Sequence, residues 1–278
     1  MVFHRYDIHK ADIFRGVNDT TNSALRAGQL LTDGRNVRGL NTCVMHTQEL
    51  VITHALGLRT RTRMRVVVDE FCEGKALRNR VKELLSFIMD KKAKGRFREY
   101  CNLDKAVKTN VLELPNDTRV AGTYRMFVSC LKSKQPIQVY CAESKDASKV
   151  QDLALSTKEW QQLAEFEAVL KHCHILAMES QIDGVGPNSF AYYTVANCRW
   201  NLKNSKSFNV VNVRHNWNGD KTILKVPTVL IDRDMLMPCT LVLLKRLDDE
   251  FQRYFAAPDA DQQLLMFFHP LMIWQGFS

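Results

Sequence analysis

Apolar residues return at three- and four-residue steps along much of this chain, a rhythm that predicts a protein built mainly from helices. Cys43, Thr47, Leu50, Val51, Ala55 and Leu58 follow it, and Gly57 marks the expected stop. Leu77, Val81, Leu84, Leu85 and Ile88 line one face of a second helix, and a basic stretch runs on from it to a break at Pro115. Thr123 to Leu131 reads as a further helix that stops before Pro136. The clearest signal starts at Ser156. Ser156 and Glu159 have capping-box spacing, and Trp160, Leu163, Phe166, Leu170, Cys173 and Ala177 form the apolar face behind them. A last helix, from about Thr240 to Phe255, places Leu244, Leu247, Phe251 and Tyr254 on one side.

Two stretches depart from this rhythm. Ala11–Val17 reads as a short strand ending at Asn18-Asp19, and a helix over 19–28 follows, closed by Gly28. Gly184, Gly186, Pro187, Gly219 and Pro227 punctuate residues 181–228. Within them, Phe208–Val213 and Thr222–Val226 flank Asn218-Gly219, which predicts a β-hairpin near 208–226.

Composition changes this picture little. With 278 residues, 45% hydrophobic and 25% charged, the chain is ordinary globular material. No stretch approaches the roughly 20 unbroken apolar residues of a membrane span, so no membrane partner is expected. Met1-Val2-Phe3-His4-Arg5-Tyr6 is not a signal peptide, because no apolar run follows its basic residue. None of the eight cysteines forms a Cys-x-x-Cys pair, so buried free thiols in a cytoplasmic or nuclear protein are expected.

Charge changes it more. The net charge of +9 favours polyanionic partners. Arg59, Arg61, Arg63 and Arg65 alternate in one short stretch, and Lys91, Lys92, Lys94, Arg96 and Arg98 form a second cluster. Each cluster is either a solvated face or a contact for a nucleic-acid backbone, and their nearness in sequence favours contact.

Candidate chemistry is sparse. A carboxylate at a strand end, such as Asp19, is well placed to hold a divalent ion, although helix capping is the commoner role for one acid alone. Cys43 and His46 have Cys-x-x-His spacing on one helical face, where a packed structural pair outweighs a zinc site that would need two further ligands. His172-Cys173-His174 lies along a helix, where successive residues point different ways, and reads as structural. No Gly-x-Ser-x-Gly motif or phosphate-binding glycine loop is present.

Several of these segments, in order, resemble the middle of a hAT-family DNA transposase. Tyr6-Asp7-Ile8 through Gly16-Val17-Asn18-Asp19-Thr20-Thr21-Asn22 resembles the family's strand ending in Asp, with Asn three residues on. Cys43–Leu50 resembles its Cys-x-x-His helix, and Asp117–Tyr124 its Thr-Arg-Trp-Asn-Ser-Thr-Tyr segment. The Ser156–Leu176 helix, Leu247–Phe255 and Phe268-His269-Pro270-Leu271 resemble the later helices and the Asp-Pro region. The resemblance implies part of a ribonuclease H-like α/β core over residues 1–60 and a mostly helical, insertion-like region over 61–278. It also implies DNA as substrate class, magnesium or manganese as cofactor of a complete site, and the nucleus as workplace.

The departures shape the functional expectation. Family members use an Asp, Asp, Glu set, of which Asp19 matches the second; the others would lie before residue 1 and beyond Ser278. Val120, Ala121 and Gly122 replace Trp, Asn and Ser, and His269 stands where the Asp before Pro270 belongs. The expectation is a truncated, transposase-derived protein that does not cut DNA alone and needs no cofactor by itself. It would bind DNA through the two basic clusters and Arg119, or bind a related full-length transposase. The alternatives are a helical protein-interaction module and a transposon remnant without function.

Overall fold

The computed structural model describes residues 16–18, 40–42, 44–59, 62–63, 66–67, 71–103, 112–115, 122–144, 147–179, 187–213 and 227–255. Strands β1 (Gly16–Asn18) and β2 (Leu40–Thr42) pair in parallel, Gly16 opposite Leu40 and Asn18 opposite Thr42. Parallel strands need a crossover connection; the helix expected over 19–28 lies outside the described residues. Helix α1 (Val44–Ala55) follows, then β3 (Thr62–Arg63) and β4 (Val66–Val67), a two-residue antiparallel pair.

From there the described residues are mainly helical. Helices α2 (Cys72–Met89) and α3 (Lys91–Leu103) meet at Asp90, whose carbonyl accepts the first amides of α3. The pair α4 (Gly122–Lys132) and α5 (Lys134–Glu143) leads through the short turn α6 (Ala147–Val150) to the long helix α7 (Thr157–Glu179). Then come α8 (Pro187–Asn204), β5 (Ser207–Val211), β6 (Thr228–Asp232) and α9 (Pro238–Tyr254). No described helix is long and apolar enough to cross a membrane.

The core forms around α7, which packs against α1, α4, α8, α9 and β5. All six apolar residues predicted for its face are buried, but so is every residue from Gln162 to Leu170. Over this stretch the helix is enclosed on all sides, as a core element is, while Lys158, Lys171, Ile175 and Met178 toward its ends are exposed. Its start is the predicted capping box: Ser156 Oγ accepts the Glu159 amide at 3.3 Å, while Glu159 Oε2 accepts the Ser156 amide at 2.8 Å and hydroxyl at 2.7 Å. Burial alone would raise the Glu159 carboxyl, but hydrogen bonds from Ser156 and Arg80 hold it below its ordinary value. The predicted stripe on α2 is buried in full, as are Leu244, Leu247 and Phe251 on α9. Helix α1, from the proposed N-terminal unit, packs on α9 and α7 and shares this core.

Helix α4 stops before Pro136 as expected, at Lys132, and that proline falls in the first turn of α5, where amides have no intrahelical partner and the missing N–H costs nothing. Two expectations are corrected. Residues 187–204 form α8, with Pro187 at its first position and Thr194, Val195, Cys198 and Leu202 buried along one side. The hairpin strand β5 is where Phe208–Val213 was expected, but its partner is Thr228–Asp232, not Thr222–Val226, which lies outside the described residues. The loop is therefore longer than the Asn218-Gly219 signal implied. Of seven described cysteines, five are buried, so most act as small core residues.

Candidate nucleic-acid interface

Residues 72–103 hold nine Lys and Arg against four Asp and Glu. Packing decides which of them face outward. Ala93, Phe97 and Cys101, four residues apart on α3, are buried. Phe97 and Tyr100 each meet the Tyr140 ring of α5 edge-on, at 5.7 and 5.6 Å. These packed rings fix the rotation of α3 and turn Lys94, Gly95, Arg98 and Glu99 to solvent. No ion pair among the described residues uses Lys94 or Arg98. As (i, i+4) neighbours of like charge they destabilise the helix by roughly 0.2–0.5 kcal/mol, a repulsion that an anionic backbone would relieve. A Cβ at Gly95 would meet nothing within 4 Å, so an approaching phosphate has open access between the two cations. Arg96 is half-buried and already partnered. Lys91 and Lys92 lie in the first turn of α3.

Basic residues on α2 are more committed to structure. Arg80 pairs with Glu159 at 3.0 Å and donates to the Asp152 carbonyl at 2.7 Å, pinning α2 to the start of α7. Arg78 donates to Asn79 at 3.3 Å.

The first basic cluster lies elsewhere. Arg59 is exposed two residues after Gly57, which sits against Phe71 at the start of α2. The cluster on α3 begins at the other end of α2. An 18-residue helix rises about 27 Å, and Arg59 stands near its start while the second cluster follows its end. Arg63 lies in β3, and Arg61, Arg65 and Arg119 lie outside the described residues.

Asp19 and Cys43 also lie outside the described residues, and His46 falls within α1. Among the described residues no group of three or more His, Cys, Asp or Glu could hold a metal ion. His172 and His174 do diverge as expected: His172 meets Phe208 of β5 edge-on at 6.0 Å, and His174 stacks on Tyr124 of α4 at 4.4 Å.

Sequence reasoning missed the polar group around His174. Glu167, 8% exposed, accepts the Tyr124 hydroxyl, and burial raises its carboxyl. Burial and the Glu167 charge push the Tyr124 phenol well above its ordinary range. Lys134 is also buried: its ammonium donates to the Val213 carbonyl, and burial lowers its pKa. These residues are far apart in sequence and share no spacing that could announce them.

The histidines predict a pH dependence. Burial, aided by Lys171 beside His172 and Arg125 beside His174, holds both imidazoles below their ordinary 6.5. The unfolded chain therefore takes up protons more readily than the folded one. Their contribution to stability is full above pH 6.5 and is lost as pH falls below it, through the depressed folded values. Glu167, raised from 4.5, acts oppositely: its contribution is full below 4.5 and is lost as pH rises through its folded value. Thermal unfolding from about pH 7.5 to about pH 5 should flatten in His174→Phe, which keeps the ring stack and removes one titrating group. A profile that runs parallel to the parent would refute this assignment.

No protein family, curated protein or solved structure matches this chain.

Proposed function

We propose that the chain is a transposase-derived protein that binds the backbone of DNA through the outer face of α3. The carrying observation is the Lys94–Arg98 pair: exposed, unneutralised by any described carboxylate, and held at a fixed angle by the Phe97, Tyr100 and Tyr140 rings beneath. Cations on a rigid helix face meet phosphates with little ordering cost, and such contacts carry no sequence information. Arg59 supplies a second, separate contact near the start of α2.

The family reading rests on the order of motifs, from the strand ending before Asp19 through the Cys43–Leu50 helix to the helix after Ser156. On that reading residues 1–60 derive from a ribonuclease H-like core, and the protein works in the nucleus beside DNA or a related full-length transposase. The proposed role is binding; strand cleavage would further need several carboxylates around divalent ions, and Asp19 is the position here that the resemblance matches to one of them. Magnesium or manganese would enter only with a complete site.

The test is DNA binding over a range of salt. The logarithm of the binding constant should fall linearly with the logarithm of salt concentration. Lys94→Ala with Arg98→Ala should make that slope shallower by about 2, one for each phosphate left without its cation. Arg59→Ala should remove about one more. A slope unchanged in the double variant would sink the α3 site, and no binding even at low salt would sink the DNA reading.

A further inference from the structure

Among the described residues, the sheet of β5 and β6 leaves the outer edge of β6 without a neighbouring strand. Strand β6 pairs with β5 in a regular antiparallel register, Phe208 opposite Ile231 and Val210 opposite Val229. Two flanking bonds fix which residues face inward: the Arg233 amide donates to the Lys206 carbonyl, and the Asn212 amide to the Pro227 carbonyl, both at 2.8 Å. In an antiparallel ladder bonded residues alternate. Residues 227, 229, 231 and 233 therefore direct their backbone groups toward β5, while Thr228, Leu230 and Asp232 direct theirs away. Among the described residues no strand takes up that outer edge.

Edge strands are commonly protected by lysine, an internal proline or a bulge. Thr228-Val229-Leu230-Ile231-Asp232 has none of these. Leu230 is 61% exposed and Val229 42% exposed, although both belong to a regular strand. A free edge lined by apolar side chains suits the addition of another strand.

We infer that the occupant is a second copy of this chain, paired antiparallel through β6 about a twofold axis at Leu230. Symmetry selects this register. Centred on Leu230, all three outward residues find partners: Leu230 bonds with Leu230 of the second copy, and Thr228 and Asp232 bond with each other across the axis in both directions. Registers centred on Val229 or Ile231 leave one of the three without a partner from the same set, and a further shift sets Asp232 against its own copy. In the chosen register each Asp232 carboxylate faces a Thr228 hydroxyl that can donate to it, with no like charges opposed. On the other face Val229 stands opposite Ile231 of the second copy, joining apolar pairs across the seam. The product is a continuous four-stranded sheet with an isologous interface.

The experiment is sedimentation of the full chain over a concentration series. The parent should show a concentration-dependent dimer. Leu230→Pro should be monomeric with unchanged circular dichroism and unfolding midpoint, because the amide it removes faces away from β5 and proline is tolerated on edge strands. Leu230→Lys and Leu230→Glu should each be monomeric alone, since the axis sets each charge against itself, and should form a dimer when mixed. A parent that stays monomeric overturns the proposal, as does a dimer that survives Leu230→Pro or Leu230→Lys. A mixture that remains monomeric overturns the symmetric register.

Discussion

Replacing Glu165 with alanine should cost about 3 kcal/mol of stability and lower the unfolding midpoint by roughly 8 °C. This carboxylate lies inside α7, 2% exposed, where an acid would ordinarily be out of place. Its role becomes clear at the start of α9. The N-cap residue there is Met237, which has no side-chain oxygen to accept the free amides of the first turn. Glu165 instead accepts the amide of Met237 itself and a hydroxyl beside it: its Oε2 takes the Met237 amide at 2.9 Å and the Thr240 hydroxyl at 2.7 Å, while Oε1 takes the Gln161 side-chain amide at 3.0 Å. The negative charge also faces the positive end of the α9 dipole. Alanine would leave a buried amide and hydroxyl without partners, each costing about 1–3 kcal/mol. Glu165→Gln keeps an acceptor oxygen and should be destabilised about half as much. Urea unfolding of the two variants decides the matter: equal destabilisation would mean that the site is a matter of packing volume rather than of capping.

The capping of α9 by Glu165 also shows why the sequence disclosed some features and not others. Local rules carried the helices whose signals are local: the stripe on α2, the Ser156–Glu159 box of α7 and the Gly57 stop of α1 all depend on residues within a few positions. Pro187 misled because a proline in the first turn and a proline that breaks a helix look alike until the start of the helix is known. Nothing within α7 announces that Glu165 serves a helix more than 70 residues away, or that Tyr124 and His174 will stack. The hairpin shows the same limit. The alternation around Phe208 identified one strand, but partner choice is tertiary, and the run after Pro227 took the place that Thr222–Val226 was expected to fill. For the candidate site, the basic residues were legible as clusters and their separation was not. Only the position of α2 between them sets Arg59 and Lys94 toward opposite ends of a helix rather than in one patch.

Gly57→Ala should destabilise the fold by about 3 kcal/mol, more than the roughly 1–2 kcal/mol usual for a side chain in the left-handed region. Gly57 has φ +72° and ends α1 in a Schellman arrangement, its amide donating to the His54 carbonyl at 3.0 Å and the Leu58 amide to the Thr53 carbonyl at 2.8 Å. An alanine methyl would add a collision to the strain, because it would lie 2.8 Å from the Phe71 carbonyl oxygen, a backbone atom that moves only with the start of α2. Gly74 offers the contrast: a methyl there would lie 2.5 Å from the Phe71 ring and 3.0 Å from the Leu56 carbonyl oxygen. Most of that collision is with a side chain. Phe71→Ala should therefore relieve Gly74→Ala and leave the cost of Gly57→Ala unchanged. A double-mutant cycle by urea unfolding separates the two, with coupling of about 1 kcal/mol or more at Gly74 and close to none at Gly57. Strong coupling at both positions would show that the ring, not the backbone, limits the approach of α1 to α2. Since that approach also sets where Arg59 stands relative to α3, the proposed DNA contact predicts that Gly57→Ala weakens the Arg59 contribution to the salt slope without altering that of Lys94 and Arg98.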